Sequence, residues 1–358
     1  MNQQTTTSNQ AGFSIAELIV CMGIMAVITG AVFSLMRDSM KVGATTYEMT
    51  DAQQSLRNSQ EYVNRDLINV GDGLNSVTRI LVPRVFVTNY LAVSPFDDPS
   101  RPGYVNLALL NSDNNVPAGT LVRNTNPSVT VRSSPTLTDR VTMLEMDNSF
   151  TPIPLAASAI NLTGSQITIA SADLARFSSG EVYFLTSSAG ATFGTITSIT
   201  AGPPAKLNFA AGDAYGLNVT GTGGMIYTVS GGCTLPTSLM RMQIIHYFIN
   251  SNGLLIRRAF GVKGQGSRDS VVAEHVRSIQ YRYFLNLRGA DGRIVQPVAQ
   301  LTSSTQQLAV RQVEVSITTE TVHALPTKQQ QALTMTTSTS VRNMQFRQAL
   351  QPDQIKPK

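Results

Sequence analysis

The hydrophobic pattern of the chain changes character three times. From Leu18 to Met36 no side chain is charged, and Glu17 is the one charged group in the stretch from Phe13 to Met36. As a helix those roughly 24 residues would span about 36 Å, enough to cross a bilayer. Beyond Met36 the pattern becomes amphipathic. Met49, Ala52, Leu56, Ser59, Val63, Leu67 and Val70 recur at three- and four-residue steps, and Arg57, Glu61 and Arg65 follow one another four residues apart on a more polar side. This predicts one helix running from the apolar stretch to about Val70, about 85 Å long if unbroken, and ended by Gly71-Asp72-Gly73.

From Ile80 the texture becomes short β-branched runs between Gly, Pro, Ser, Thr and Asn. Val85-Phe86-Val87, Val141 to Leu144, Ile167 to Ile169, Val182 to Leu185 and Thr195 to Thr200 read as strands. The stretch from Pro95 to Pro135 lacks periodicity and reads as long loops. Between Arg140 and Gly231 the strand spacing suggests a small sandwich or barrel-like insertion, with Gly180-Glu181 opening one strand and Pro203-Pro204 marking a turn. The last third is more regular. Met242 to Ile249 and Leu254 to Phe260 form a hairpin across Asn250-Ser251-Asn252-Gly253. Strands follow at Val276 to Leu285, at Leu308 to Thr318 with Val313, Val315 and Ile317 facing the helix, and at Leu333 to Val341.

Composition leaves room for one large or two modest domains after the apolar helix, since the 358 residues are 42% hydrophobic and 14% charged. The net charge of +5 comes from scattered basic residues without interleaved aromatics, so no nucleic-acid partner is inferred. Cys21 lies in the apolar run and Cys233 beyond it, which gives no disulfide framework. His246, His275 and His323 lack metal-ligand spacing, and neither a nucleophile elbow nor a P-loop occurs. Gly261 to Gly266 reads as a loop, Glu274 and His275 as neighbours on opposite faces of a strand, and Cys233 as an ordinary loop thiol. The expectation is a protein that is not an enzyme and takes no cofactor.

Glu17 calls for a partner, because a carboxylate about one turn into a membrane helix is costly alone. Cleavage between Gly12 and Phe13 would expose an α-ammonium at the head of the helix, able to meet a neighbour's carboxylate. Gly12-Phe13, Glu17 and the long uncharged helix resemble the class III signal of type IV prepilins and type II secretion pseudopilins. The resemblance implies cleavage after Gly12 by a prepilin peptidase, N-methylation of Phe13, and assembly in which Glu17 pairs with a neighbouring subunit's N-terminus. The competing readings are an ordinary signal anchor whose acid snorkels and a cleavable secretory signal, for which the apolar run is too long. Residues 1–12 hold no Lys or Arg, and Arg37 and Lys41 lean against a cytoplasmic N-terminus, so topology rests on the motif. No proline precedes Pro83, so any unwinding of the helix would start at Gly23 or Gly30.

The order of elements resembles PilW-type minor pilins and the related J-type pseudopilins, departing from them in having no tryptophan and a long insertion. The resemblance implies an α+β, pilin-like fold, with a long transmembrane and stalk helix packed on an antiparallel sheet and a large β-rich insertion. The expected divisions are a leader at 1–12, a transmembrane helix at 13–36, a stalk helix at 37–72, a loop-rich β segment at 73–135, an insertion at 136–232, a C-terminal sheet at 233–345 and a polar tail at 346–358. The implied role is a minor subunit that joins, primes or tips a type IV pilus or related filament. A pilin-displayed adhesin and a type II secretion pseudopilin are the alternatives. The implied partners are other pilins or pseudopilins through their N-terminal helices, the prepilin peptidase, the assembly platform and the membrane. The implied location is the cytoplasmic membrane, with one span and the β domain outside, and then the filament.

Overall fold

A computed structural model describes residues 14–74, 79–91, 101–116, 121–122, 129–130, 137–221, 224–262, 266–289, 291–321 and 331–344. The chain divides into two units, Met1–Asp51 with Thr321–Gln331 and Ala52–Glu320 with Ala332–Lys358. Helix α1, Ile15–Asn69, spans the division. In the first unit its large apolar side chains are exposed on every face, from Ile15 to Met40.

In the second unit α1 has a defined inner stripe. Ala52, Leu56, Val63 and Leu67 are buried, and Arg57, Glu61 and Arg65 are exposed, as the spacing predicts. Leu56, Val63, Leu67 and Val70 share one core with Val313, Val315 and Ile317. Burial of each such side chain contributes about 1.5 to 3 kcal/mol. The helix stops where expected. Gly71 takes φ +77, and a Cβ there would lie 2.9 Å from the Leu109 side chain. Its N–H donates to Leu144 O at 2.8 Å, tying the turn to the sheet.

The strands are, in order, β1 Ile80–Pro83, β2 Tyr104–Asn106, β3 Leu110–Val116, β4 Leu121–Val122, β5 Val129–Thr130, β6 Thr138–Met146 and β7 Ile153–Leu155. Next come β8 Gln166–Ile169, β9 Val182–Ser187, β10 Gly190–Thr195, β11 Ser198–Thr200, β12 Ala205–Asn208 and β13 Thr237–Met240. The last are β14 Met242–Ile249, β15 Leu255–Val262, β16 Gly266–Ala273, β17 Val276–Leu285, β18 Val310–Glu320 and β19 Ala332–Ser340. They form a five-stranded sheet ordered β16-β15-β14-β6-β3, a three-stranded sheet β17-β18-β19, a six-stranded sheet β2-β1-β10-β9-β13-β7, a three-stranded sheet β11-β12-β8 and the pair β4-β5. Among the described residues pairing is antiparallel except between β1 and β10. The fold is α+β and pilin-like: a long N-terminal apolar helix followed by a large β domain of several sheets.

The late hairpin and β17, β18 and β19 lie close to their expected positions, whereas Gly261 and Gly266, expected in a loop, lie in β15 and β16, and β16 is a strand the hydrophobic pattern did not predict. β18 alternates buried Val313, Val315 and Ile317 with partly exposed Glu314 and Ser316. β19, rich in Thr and Ser, meets the helix through polar groups instead. Gln60 Nε2 donates to Met335 O at 2.7 Å, Thr339 Oγ1 donates to Asn64 Oδ1 at 2.8 Å, and Thr337 hydrogen-bonds Gln60.

Four further expectations fail. Val85-Phe86-Val87 is not a strand: Arg84–Phe86 is a helical turn continued by a π-helical turn at Val87–Leu91, with Phe86, Val87 and Leu91 buried. Pro83 sets the start of that turn, as proline is suited to a helix N-terminus. The run Thr195 to Thr200 is broken, because β10 ends at Thr195 in one sheet and β11 begins at Ser198 in another. The stretch read as loops contains β2 and β3. β3 joins the five-stranded sheet despite its polar sequence, because Asn111 donates to Ala108 O at 2.7 Å and Asp113 accepts from Arg140 Nη2 at 2.6 Å. Glu274 and His275 lie in the bend between β16 and β17, with His275 at φ +56, and not within a strand.

Candidate functional site

The start of α1 is built from Ser14 and Glu17. Ser14 Oγ accepts from Ala16 N–H at 3.1 Å and from Glu17 N–H at 3.4 Å, and Glu17 Oε2 accepts from Ser14 N–H at 3.0 Å. This is a capping box, in which two orphan amides at the helix end are satisfied reciprocally. The carboxylate also sits at the partially positive end of the helix, where a negative charge is favoured. Glu17 therefore has a partner within its own helix, which the reading from sequence missed. Ser14 is the residue overlooked, and its signal was present as Ser-x-x-Glu ahead of an apolar run. The remaining lone pairs of the carboxylate are open to a second donor. Gly12 and Phe13 lie outside the described residues.

Around this start the helix offers hydrocarbon. Leu18, Ile24, Ile28 and Phe33 are each more than half exposed, and the helix is long and apolar enough to cross a membrane. In water alone such a surface is unfavourable at about 25 cal/mol per Å², so it calls for lipid or other helices.

The other candidates do not converge. His246 is fully buried in β14, with Nδ1 2.8 Å from Thr142 Oγ1. Burial, then the Arg140 and Arg258 charges, hold it well below the usual imidazole range, so it is neutral. It belongs to a polar row that crosses all five strands of its sheet: Asn111, Thr142, His246, Arg258 and Asp269. Arg258 closes this row with two 2.7 Å bonds to Asp269, a bidentate geometry that fixes register. Cys233 Sγ donates to Asn161 O at 2.9 Å and is half-buried. Among the described residues no three His, Cys, Asp or Glu side chains gather as metal ligands. His323 lies outside them.

A second residue hidden in the sequence is Asp66. It stands in the apolar stripe of α1, is buried, and accepts from Tyr247 OH at 2.7 Å and from Arg257 Nε at 2.5 Å. Glu145 lies 3.6 Å from Arg257 Nη2. Burial, reinforced by the Asp66 charge, raises the Glu145 carboxyl to about 7. Burial and then Asp66 also push the Tyr247 hydroxyl well above its usual value. Asp66 thus locks the upper part of the helix to β14 and β15 through charge-assisted bonds.

With the helix start and its exposed apolar surface in view, the comparison with known families has a clear outcome. The family model described as the prokaryotic N-terminal methylation motif matches residues 7–33, a span that includes Gly12, Phe13, Ser14 and Glu17. The match supports a type IV pilin-like prepilin, and with the apolar helix it supports membrane anchoring followed by entry into a filament, processing by a prepilin peptidase, and assembly with other pilins. No curated protein matches the chain significantly.

Proposed function

We propose that the chain is a minor pilin-like structural subunit that primes or tips a type IV pilus or related filament after cleavage between Gly12 and Phe13. The observation that carries this reading is the methylation motif at 7–33 on a helix whose apolar side chains from Ile15 to Met40 are exposed on every face. Such a helix is at home first in lipid and then against other helices of its kind. In this reading Phe13 is N-methylated and its ammonium meets the Glu17 carboxylate of a neighbour, which still has lone pairs beyond those used by Ser14. The size of the β domain favours a low-copy position, because a unit of several sheets would crowd a repeating shaft. The role is structural and requires no catalysis or cofactor. The β domain faces the periplasm or the exterior.

Glu17→Ala tests this assignment. It removes a charge from the membrane segment, so insertion is preserved or improved while incorporation falls, since breaking a buried charge pair costs about 3 to 5 kcal/mol. The measurement is the amount of membrane-inserted, processed protein against the amount in filaments assembled with partner pilins. Normal incorporation of the variant would contradict the reading. Loss of surface binding with filaments intact, on deletion of the chain, would instead indicate a displayed adhesin.

A further inference from the structure

A trough lies between α1 and the outer strand of the five-stranded sheet, and helix packing leaves it unfilled. It is a cavity of about 340 Å³ lined by Tyr62, Arg65, Gln243, Arg257, Arg268 and Ser270 among others, and no described lining residue is a carboxylate. Arg257 is committed to Asp66 and Glu145. Arg65 lies over the Tyr62 ring at 4.8 Å and reaches Asp66 only at 3.5 Å, with its side chain 59% exposed. Arg268 is exposed and forms no ion pair among the described residues. The cavity therefore presents two accessible guanidinium groups over a floor whose charges are already paired.

The backbone beside it is also available. Among the described residues β16 is the outermost strand of its sheet, so its outer N–H and C=O groups face no further described strand of that sheet. Along β16, Arg268 and Ser270 stand opposite Ala259 and Arg257 of β15 and share their cavity side, as the two-residue period requires, and both Val271 and Val272, at the register shift that follows, also line the cavity. An extended segment added to this edge would gain main-chain hydrogen bonds and place every second side chain over the trough.

We propose that this edge and trough form a docking site for an acidic β-strand of a partner protein, whose Asp or Glu carboxylate is held by Arg268 and Arg65. That the partner is a neighbouring filament subunit rests on the function proposed above. The site itself does not, and its test needs no filament.

The test uses the full chain in neutral detergent micelles and a fluorescently labelled, end-blocked peptide alternating Thr and Glu over six residues, with a Thr-Lys peptide as control. The expected result is saturable binding of the Thr-Glu peptide, weakened about tenfold or more by Arg268→Glu and by a rise from about 50 to about 500 mM NaCl. Arg268→Ala, which adds no opposing charge, should weaken it about three- to tenfold. Both substitutions are at an exposed side chain, and unchanged circular dichroism verifies the fold. Absence of saturable binding, equal affinity of Arg268→Glu and the parent chain, or equal binding of the Thr-Lys peptide would each overturn the proposal. So would displacement of the peptide by inorganic phosphate at equal concentration, which would identify a general anion site.

Discussion

Replacing Glu145 by Gln should stabilise the protein at pH 8 and do little near pH 5. The carboxyl is buried beside Asp66, and its pKa is raised from 4.5 to about 7. In the folded state it holds a proton that the unfolded chain releases, so stability falls as pH rises through the interval from 4.5 to 7 and the whole cost is present above 7. A shift of that size corresponds to about 3 kcal/mol at pH 8, of which about 2 to 3 kcal/mol develops between pH 5 and pH 8. The substituted amide does not titrate, so the difference between variant and parent isolates this residue from Asp139, whose carboxyl burial also raises, to about 6. Urea unfolding of the full chain in detergent, followed by tyrosine fluorescence at both pH values, reads the difference. If Glu145→Gln is as destabilising at pH 8 as at pH 5, or more so, then the Arg257 ion pair at 3.6 Å outweighs burial and the reasoning fails.

Two further substitutions probe the packing of the β domain. Asp66→Ala leaves Arg257 and the Tyr247 hydroxyl without their shared acceptor, and should cost about 3 to 5 kcal/mol in the same urea assay, whereas a loss below about 1 kcal/mol would show that the helix is held by apolar packing alone. Gly261→Ala should destabilise the β15–β16 hairpin, because Gly261 has φ +81 and an added Cβ would sit 2.6 Å from Met242 O; faster amide exchange in β15 and β16 is the expected signature, and unchanged exchange would argue against it.

The parts of the fold legible in the sequence are those where burial follows a period. The stripe from Ala52 to Val70, the hairpin Met242 to Phe260 and the alternation of Val313, Val315 and Ile317 each place apolar groups at the spacing of one element, and each forms that element. The parts that were not legible bury polar groups. β3 buries Asn111, Ser112 and Asp113, and the hydrogen bonds of Asn111 and Asp113 replace the hydrophobic signal that a pattern reading needs. Asp66 is hidden for the same reason, as an acid inside an apolar stripe whose partners, Tyr247 and Arg257, lie far away in sequence. At the helix start Glu17 was legible as a costly charge. Its nearest donor was not recognised, although Ser14 stands three residues before it at capping-box spacing.

The central claim is that the chain is a processed pilin-like subunit, and the mature N-terminus tests it most directly. The full chain is to be expressed with its prepilin peptidase and filament partners, and the intact mass and N-terminal peptide of assembled material measured. The account predicts a chain that begins at Phe13 and carries one added N-methyl group, and it predicts a longer, uncleaved precursor when Gly12 is replaced by a bulky residue. Assembled material that still begins at Met1 would contradict it.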